Sequence, residues 1–390
     1  MLLLFVGNYL RLVILPVFKG NHESLFNSTD QEYSNMASLI VKRFVKLVII
    51  VMLAGCVSNP EKMVVESAPG NLLQMPAVDE NIQNAQTSAN PTKVPASHQY
   101  AAKQLTGTYA NSIVLQNFIA RMVHKQGFSL SYLNGLFSKA NRLDSVIGLE
   151  NPVPPSTGPT KPSLGSWTRY RDKFLTEAHI NNGVEFWRNN AEAIQKASTT
   201  YGVDPEYIVG IIGVETYFGK NFGKTNILDA LTTLSFDTVR RSNYFMSELE
   251  SFLLMARDEG FDPRQPQGSW AGAMGYGQFM PSNFRTLAVD FNNDGRRDLW
   301  QAKDAIGSVA NYFAHSGWQL HNPVTKRSTP EADAGVIELS TYEGNEYWHV
   351  FANFTVIKKY NNSNKYAMAV HQLAQGIKQR YLQVVALQNN

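Results

Sequence analysis

Glu215 has the setting in this chain that most favours acid–base chemistry. It lies near the end of the stretch 203–219, VDPEYIVGIIGVETYFG, where Ile208, Ile211, Ile212 and Glu215 fall at i, i+3, i+4 and i+7 and share one helical face. An acid on a face that should be buried loses hydration, and the negative end of the helix dipole lies beside it. Both effects hold the proton on and raise the pKa. A carboxylic acid kept protonated near neutrality is what protonation of a glycosidic oxygen requires. The same residue would also serve as a strut paired with an arginine, and this helix alone does not decide between the two.

A second stretch, 268–281, reads GSWAGAMGYGQFMP. Its four glycines let backbone approach a ligand closely, while Ser269, Tyr276 and Gln278 offer neutral hydrogen bonds and a stacking surface, chemistry that suits sugars. It lacks the strand-to-helix context and spacing of a phosphate loop. The plainer alternative is a packing segment rich in small residues. A third constellation, Asp290 to Asp298, puts oxygen ligands at loop positions one, three, five and nine and glycine at six, the opening of an EF-hand loop. Position twelve is Gln301, where a bidentate Glu belongs, so the strict pattern fails and an Asx-rich turn competes with a metal loop.

Cys56 is the only cysteine, which excludes internal disulfides, a CxxC redox pair and zinc held by several thiolates. The eight histidines show no HExxH spacing, so zinc chemistry is not indicated. Lys42, Arg43 and Lys46 precede the apolar run Leu47–Ala54, which ends Leu53-Ala54-Gly55-Cys56. This resembles a bacterial lipobox, in which the signal is cut before a cysteine that becomes acylated, and two or more chains anchor stably where one would not. Val57 is not the aspartate that commonly retains such lipoproteins at the inner membrane, so the expected address is the periplasmic face of the outer membrane. Met1–Phe18 is apolar but broken by Asn8 and Arg11, and Met36 stands where a signal of ordinary length begins.

The elements that must position these groups follow from the flanking residues. Asp204 is a good N-cap, Pro205 suits the first helical position, and Gly219 is suited to end the helix in the left-handed conformation. Residues 1–55 read as a targeting segment with Met36 as its true start, and residues 56–100, with Pro60, Pro69, Pro76, Pro91 and Pro95, as a lipidated flexible tether. Residues 101–390 hold the catalytic region. Short helices are expected around Phe118–Val123 and Tyr132–Phe137, a long loop across Pro152–Pro162, helix again from Trp167 to Thr199, and strand-like alternation near Gly335–Tyr342 and Phe351–Ile357. The fold class is mainly α with a small β component. Hydrophobic residues at 44% against 17% charged exclude global disorder. The net charge of +3, with five basic and three acidic residues in the first 55, leaves no footprint for nucleic acid.

Four motifs, in order, resemble the membrane-bound lytic murein transglycosylase B family of lysozyme-like lytic transglycosylases. They are Gly213-Val214-Glu215-Thr216 with Phe218-Gly219, the stretch Ala271–Ser282, the stretch Asp304–Tyr312, and Tyr360-Asn361 with Ser363-Asn364 and Tyr366. The resemblance runs from about Ala101 to Gln379. It implies a lysozyme-like catalytic core with an added helical domain and a small β-containing, Ca²⁺-binding domain. It also implies cleavage of the β-1,4 bond between N-acetylmuramic acid and N-acetylglucosamine with a 1,6-anhydromuramoyl product, Glu215 acting first as acid and then as base. Ser269, Gln278 and Asn361 match polar active-site positions of that family, and Tyr170, Tyr244, Tyr312, Tyr360 and Tyr366 match groove tyrosines, although a lone tyrosine is more often core. By the same resemblance Asp290, Asn292, Asp294, the Arg296 carbonyl and Asp304 surround one structural Ca²⁺, and no cofactor serves catalysis. The implied partners are peptidoglycan strands and a membrane, with other cell-wall enzymes as an open question. Two competing readings remain: a two-carboxylate muramidase, should Asp229 or Asp237 face Glu215, and a non-catalytic cell-wall-binding lipoprotein.

Overall fold

The computed structural model describes residues 5–6, 9–10, 100–151, 163–331 and 334–388. The chain divides into two units, 1–65 and 66–390. Of the first, the description covers one antiparallel pairing, β1 (Phe5–Val6) with β2 (Tyr9–Leu10). The lipobox at Cys56, residues 56–99 of the tether and the proline-rich crossing at 152–162 lie outside the described residues.

The second unit is mostly helical. It opens with α1 (Ile113–Gln126), α2 (Leu130–Phe137) and α3 (Asp144–Glu150). Ser112 and Ser129 cap the first two by accepting backbone N–H groups, and Gly127 ends α1 in the left-handed conformation. Then come α4 (Ser166–Arg171), α5 (Glu177–Asn189), α6 (Ala191–Tyr201) and α7 (Pro205–Thr216), followed by β3 (Thr225–Asn226), α8 (Ile227–Phe236), α9 (Ser242–Glu259), β4 (Gln267–Gly268), α10 (Pro281–Leu287) and α11 (Ala302–His315). The last part holds β5 (Thr325–Ser328), β6 (Val336–Thr341), β7 (Gly344–Val350), α12 (Ala352–Tyr360) and α13 (Asn364–Gln388). The three late strands form one antiparallel sheet in the order β5-β7-β6.

Helix α7 runs through the middle. Every residue from Glu206 to Gly213 is buried, so the helix is enclosed on all sides rather than on the one face the isoleucine spacing suggested. It packs against α5, α6, α11 and α13. Gly210 allows the approach of α13, since a Cβ there would meet Ala374 at 3.0 Å. Each fully buried isoleucine contributes about 1.5–3 kcal/mol, so Ile208, Ile211 and Ile212 anchor the segment that ends in Glu215.

One expected strand is a helix. Phe351–Ile357 alternates in sequence, yet Phe354 and Ile357, three apart, are fully buried on α12, while the Phe351 N–H bonds to the Val324 carbonyl and closes the sheet. Burial on a helical face outweighs the strand preference of the β-branched residues here. Strand β7 was not legible because Gly-Asn-Glu-Tyr-Trp-His-Val mixes polar and aromatic residues on both faces. Among the described residues no helix is long and apolar enough to cross a membrane.

Candidate active site

The end of α7 differs from its sequence expectation. The helix stops at Thr216, and Tyr217 (φ 52°), Phe218 (φ 60°) and Gly219 (φ 85°) are left-handed in succession. The turn closes by Tyr217 N–H to Gly213 O at 3.0 Å and Phe218 N–H to Ile212 O at 3.3 Å. A left-handed non-glycine residue costs about 1–2 kcal/mol, so tertiary contacts must hold this turn. The Thr216 hydroxyl lies 3.1 Å from both the Ile212 and Tyr276 carbonyls and accepts the Gly219 N–H at 3.0 Å. His179 on α5 places Nε2 3.0 Å from the Gly213 carbonyl, with its ring against Tyr217. Burial pushes the His179 pKa down, so the ring is neutral and donates as its Nε2–H tautomer. At the other end Asp204 occupies the N-cap position, but its carboxylate accepts from Trp318 Nε1 and the His321 N–H instead of capping α7.

Glu215 emerges from this clamped turn half-buried. Loss of hydration pushes its pKa up to about 7, opposed by one hydrogen bond, from the Tyr366 hydroxyl to Oε1 at 2.5 Å. No second carboxylate is among the influences on it. Asp229 accepts from the Asn141 backbone N–H and Nδ2, each at 3.0 Å, and Asp237 from the Tyr109 hydroxyl at 2.6 Å and from Arg142. Both acids tie α8 to the opening helical part, which removes the pair a two-carboxylate muramidase needs.

Four tyrosines surround Glu215. Tyr170, Tyr312, Tyr360 and Tyr366 each have the phenol pKa raised, by burial first and by the Glu215 charge in addition. Tyr366 is 2% exposed, so it acts on Glu215 and offers little surface to a sugar. Tyr312 and Tyr360 pack with ring centroids 4.6 Å apart, and their hydroxyls donate to the Lys359 and Gly277 carbonyls. Tyr244 is not brought to Glu215. It lies on α9 beside Glu248, which accepts from the backbone N–H and hydroxyl of Ser282.

The glycine-rich stretch folds on itself. Met274 and Phe279 exchange backbone hydrogen bonds around a tight turn, and the missing side chains are replaced by protein atoms: a Cβ on Gly272 would strike Leu231, and one on Gly277 the Tyr360 hydroxyl. Packing therefore explains these glycines. Ser269, 4% exposed, accepts the Ala271 and Ala273 N–H groups and shapes this loop. Gln278 (φ 49°) donates Nε2 to the Phe222 and Gly275 carbonyls, which leaves Oε1 as its remaining acceptor. The half-buried Asn361 side chain follows α12 with no hydrogen-bond partner among the described residues. A cleft of about 680 Å³ opens elsewhere, beside Thr106, Asn111 and Gln116, and contains none of these side chains.

The acidic loop offers oxygen donors, as a hard cation requires. Asp290, Asn292 and Asp294 turn their side-chain oxygens onto the N–H groups of Asp294, Gly295 and Arg296, folding the loop around itself. Asp304, fully buried, accepts from Phe291, Asn292 and Asp298 N–H and clasps the loop to α11. Desolvation raises its pKa, and the Asp290 charge raises it further. Among the described residues no three His, Cys, Asp or Glu side chains stand together at metal-holding distance, so a bound ion would also draw on the Asn292 oxygen and the Arg296 carbonyl. The carboxylate oxygens of Asp290 and Asp294 and Oδ2 of Asp304 each keep a lone pair beyond one hydrogen bond, while Asp304 Oδ1 already accepts two, and the donor set fits Ca²⁺ on that basis. Sequence reasoning missed His179 and gave Thr216 no role. A lone histidine on a helix carries no spacing signal.

A family model described as the transglycosylase SLT domain matches residues 110–333 and 324–375. A protein of Escherichia coli K12, membrane-bound lytic murein transglycosylase B, is 46% identical over 312 residues, covering 72% of this chain and 86% of that protein. The E. coli lytic transglycosylase SLT35 in complex with bulgecin A aligns with a TM-score of 0.67 at 44% identity, covering 74% of this chain and 99% of its own. SLT35 in complex with calcium aligns at 0.67 and 43%, with the same coverage. The catenated lytic transglycosylase SltB1 of Pseudomonas aeruginosa aligns at 0.65 and 37%, covering 70% of this chain and 99% of that one.

Proposed function

The chain belongs to the lytic transglycosylases built on the SLT domain, and from that membership we propose how its residues divide the work on peptidoglycan. It is an enzyme that cleaves the β-1,4 bond between N-acetylmuramic acid and N-acetylglucosamine and leaves 1,6-anhydromuramoyl ends. Glu215 gives its proton to the leaving oxygen as the C1–O bond breaks. The resulting carboxylate then takes the proton of the C6 hydroxyl, whose oxygen closes on C1. The proton returns to Glu215 and no water is consumed. Positive charge at C1 is met by the substrate's own N-acetyl oxygen, since no second carboxylate faces Glu215. Tyr366 holds Oε1 in place, and Tyr170, Tyr312, Tyr360, Gln278 and Asn361 line the glycan path, with Ser269 and Tyr244 supporting it from behind.

The observation that carries this reading is a lone acid with its pKa near 7 at the end of a buried helix, ringed by tyrosines. It also weighs against a non-catalytic binding lipoprotein, which has no use for such an acid. Incubating the protein with purified sacculi and identifying the released ends by mass is expected to show anhydromuramoyl ends. Reducing ends alone would overturn the reading.

Residues 1–55 are proposed as the targeting segment, 56–100 as the tether and 101–390 as the catalytic region, with Cys56 lipidated at the periplasmic face of the outer membrane. The supporting facts are the lipobox sequence and a membrane-bound relative. Cys56→Ala is expected to leave the signal uncut and the protein mislocalised. Normal processing and unchanged membrane fractionation would count against lipidation.

We further propose that Asp290, Asn292, Asp294, the Arg296 carbonyl and Asp304 hold one structural Ca²⁺, as the calcium complex of SLT35 suggests. A ligand that binds only the folded state stabilises by mass action. Ca²⁺ is thus expected to raise the melting temperature, and Asp290→Ala to remove that rise. Asp304→Ala is expected to lower stability even without the ion, because three backbone N–H groups lose their acceptor. Calorimetry with and without chelator checks both, and a parent protein indifferent to Ca²⁺ would leave the loop a turn.

A further inference from the structure

Arg169 and Lys365 each immediately precede a tyrosine of the Glu215 ring, Tyr170 and Tyr366 respectively. Among the described residues the Arg169 guanidinium is held by neutral groups only. Nη1 donates to the Leu164 carbonyl at 2.8 Å and the Tyr342 hydroxyl at 3.2 Å, and Nη2 donates to Ser163 Oγ at 2.8 Å. Tyr342 packs so closely on Gly165 that a Cβ there would fall 2.2 Å from its ring. Arg169 is therefore fixed in direction, and among the described residues no carboxylate compensates its charge.

Lys365 is the second residue of α13, whose first turn contains no acid. A helix N-terminus is itself positive, so a lysine there stands against the dipole. Burial and the charge of Arg169 push its ammonium pKa down, and among the described residues it has no hydrogen bond or ion pair. Beside it the Asn364 side-chain oxygen is buried without a partner. Among the described residues, two cations that feel one another's charge and the positive end of a helix thus stand next to tyrosines of the Glu215 site, with one unpartnered acceptor and no carboxylate paired to them. Such an arrangement is unfavourable alone and is satisfied by an incoming anion that also carries N–H donors.

With the lactyl carboxyl of the muramic acid tied up as an amide, the sugars of a stem-bearing strand are uncharged, whereas the peptide stem bears carboxylates and amide N–H groups. We propose that Arg169, Lys365 and Asn364 form a lip that receives the peptide stem of the muramic acid being cleaved, the two cations taking a carboxylate and Asn364 an amide N–H. The arginine fork suits a carboxylate in bidentate fashion, and the lysine adds a point charge. This rests on the peptidoglycan reading above and names the part of the substrate that decides preference.

The test compares kcat/KM of the full-length protein on glycan strands carrying stems with that on strands stripped of them by an amidase and then methylamidated at the exposed lactyl carboxyl, so that no new charge replaces the stem. The parent is expected to prefer stem-bearing strands. Arg169→Gln and Lys365→Gln are each expected to lower that preference about threefold and the double variant about tenfold, mainly through KM, while Lys365→Arg preserves it. Both side chains reach the surface, so the variants are expected to melt with the parent. A double variant with unchanged preference, or a parent with none, would overturn the stem contact while leaving the glycosidase reading intact. A parent that releases anhydro ends from neither strand would instead overturn the function on which the proposal rests.

Discussion

Glu215→Gln is expected to reduce release of anhydromuramoyl ends by at least about three orders of magnitude while glycan binding persists. Glutamine keeps the size and an oxygen that can accept the Tyr366 hydroxyl, but it has no proton to give and cannot take one from the C6 hydroxyl. Acid–base assistance is worth about 10² to 10⁴ in rate, and here one group serves both steps. The pH profile gives a second handle. The protonated acid is needed first, so kcat/KM of the parent is expected to fall as pH rises through about 7, where burial has placed the pKa. The stability sign follows from the same shift. An acid whose folded pKa is raised contributes most below its unfolded value of 4.5, and that contribution is lost as pH climbs through about 7. The Gln variant has no charge to desolvate, so its melting temperature relative to the parent is expected to improve between about pH 5 and pH 8. A charge-paired strut would show the reverse, with stability lost and turnover retained in whatever stayed folded. A well-folded Gln variant with near-parental turnover would falsify the mechanism.

The helix that carries Glu215 was legible because its signals are local: Asp204-Pro205 at the start, isoleucines at helical spacing, glycine beyond the end. Its true end was not, because Tyr217 and Phe218 adopt left-handed conformations that nothing in their own side chains favours. His179, thirty-four residues before Gly213, supplies the contact that holds them, and no pattern in the sequence links the two. The tyrosines show the same division. The family resemblance made them groove tyrosines, yet only packing reveals that Tyr366 is buried on Glu215 while Tyr244 sits with Glu248. Asp229 and Asp237 were candidates for a second catalytic acid until Asn141 and Tyr109, on the opening helical part, proved to be their partners. Long-range pairing decides each of these cases.

Gly275→Ala is expected to cause a large loss of stability for a very small chemical change. Gly275 has φ +64°, and an alanine Cβ there would fall 2.3 Å from the Leu299 carbonyl oxygen and 2.5 Å from the Leu299 Cβ. That carbonyl already accepts the Tyr276 N–H at 2.9 Å, and Leu299 itself is buried, so neither partner can retreat. The left-handed backbone costs an alanine about 1–2 kcal/mol, and forcing atoms into packed space adds about 1–3 kcal/mol. At about 2–4 °C per kcal/mol for a chain of this size, the melting temperature is expected to fall by roughly 4–20 °C. Gly202→Ala isolates the collision, because Gly202 has the same φ of +64° and nothing within 4 Å of its would-be Cβ. It is expected to lose only the backbone part, a few degrees. Turnover of Gly275→Ala should fall as well, since the displaced turn carries Gln278 and the Gly277 carbonyl that positions Tyr360. If the glycine instead made room for a sugar, Gly275→Ala would melt like Gly202→Ala and show its defect in KM alone. Thermal melts of both variants beside KM and kcat for Gly275→Ala therefore decide whether this turn is shaped by Leu299 or by substrate.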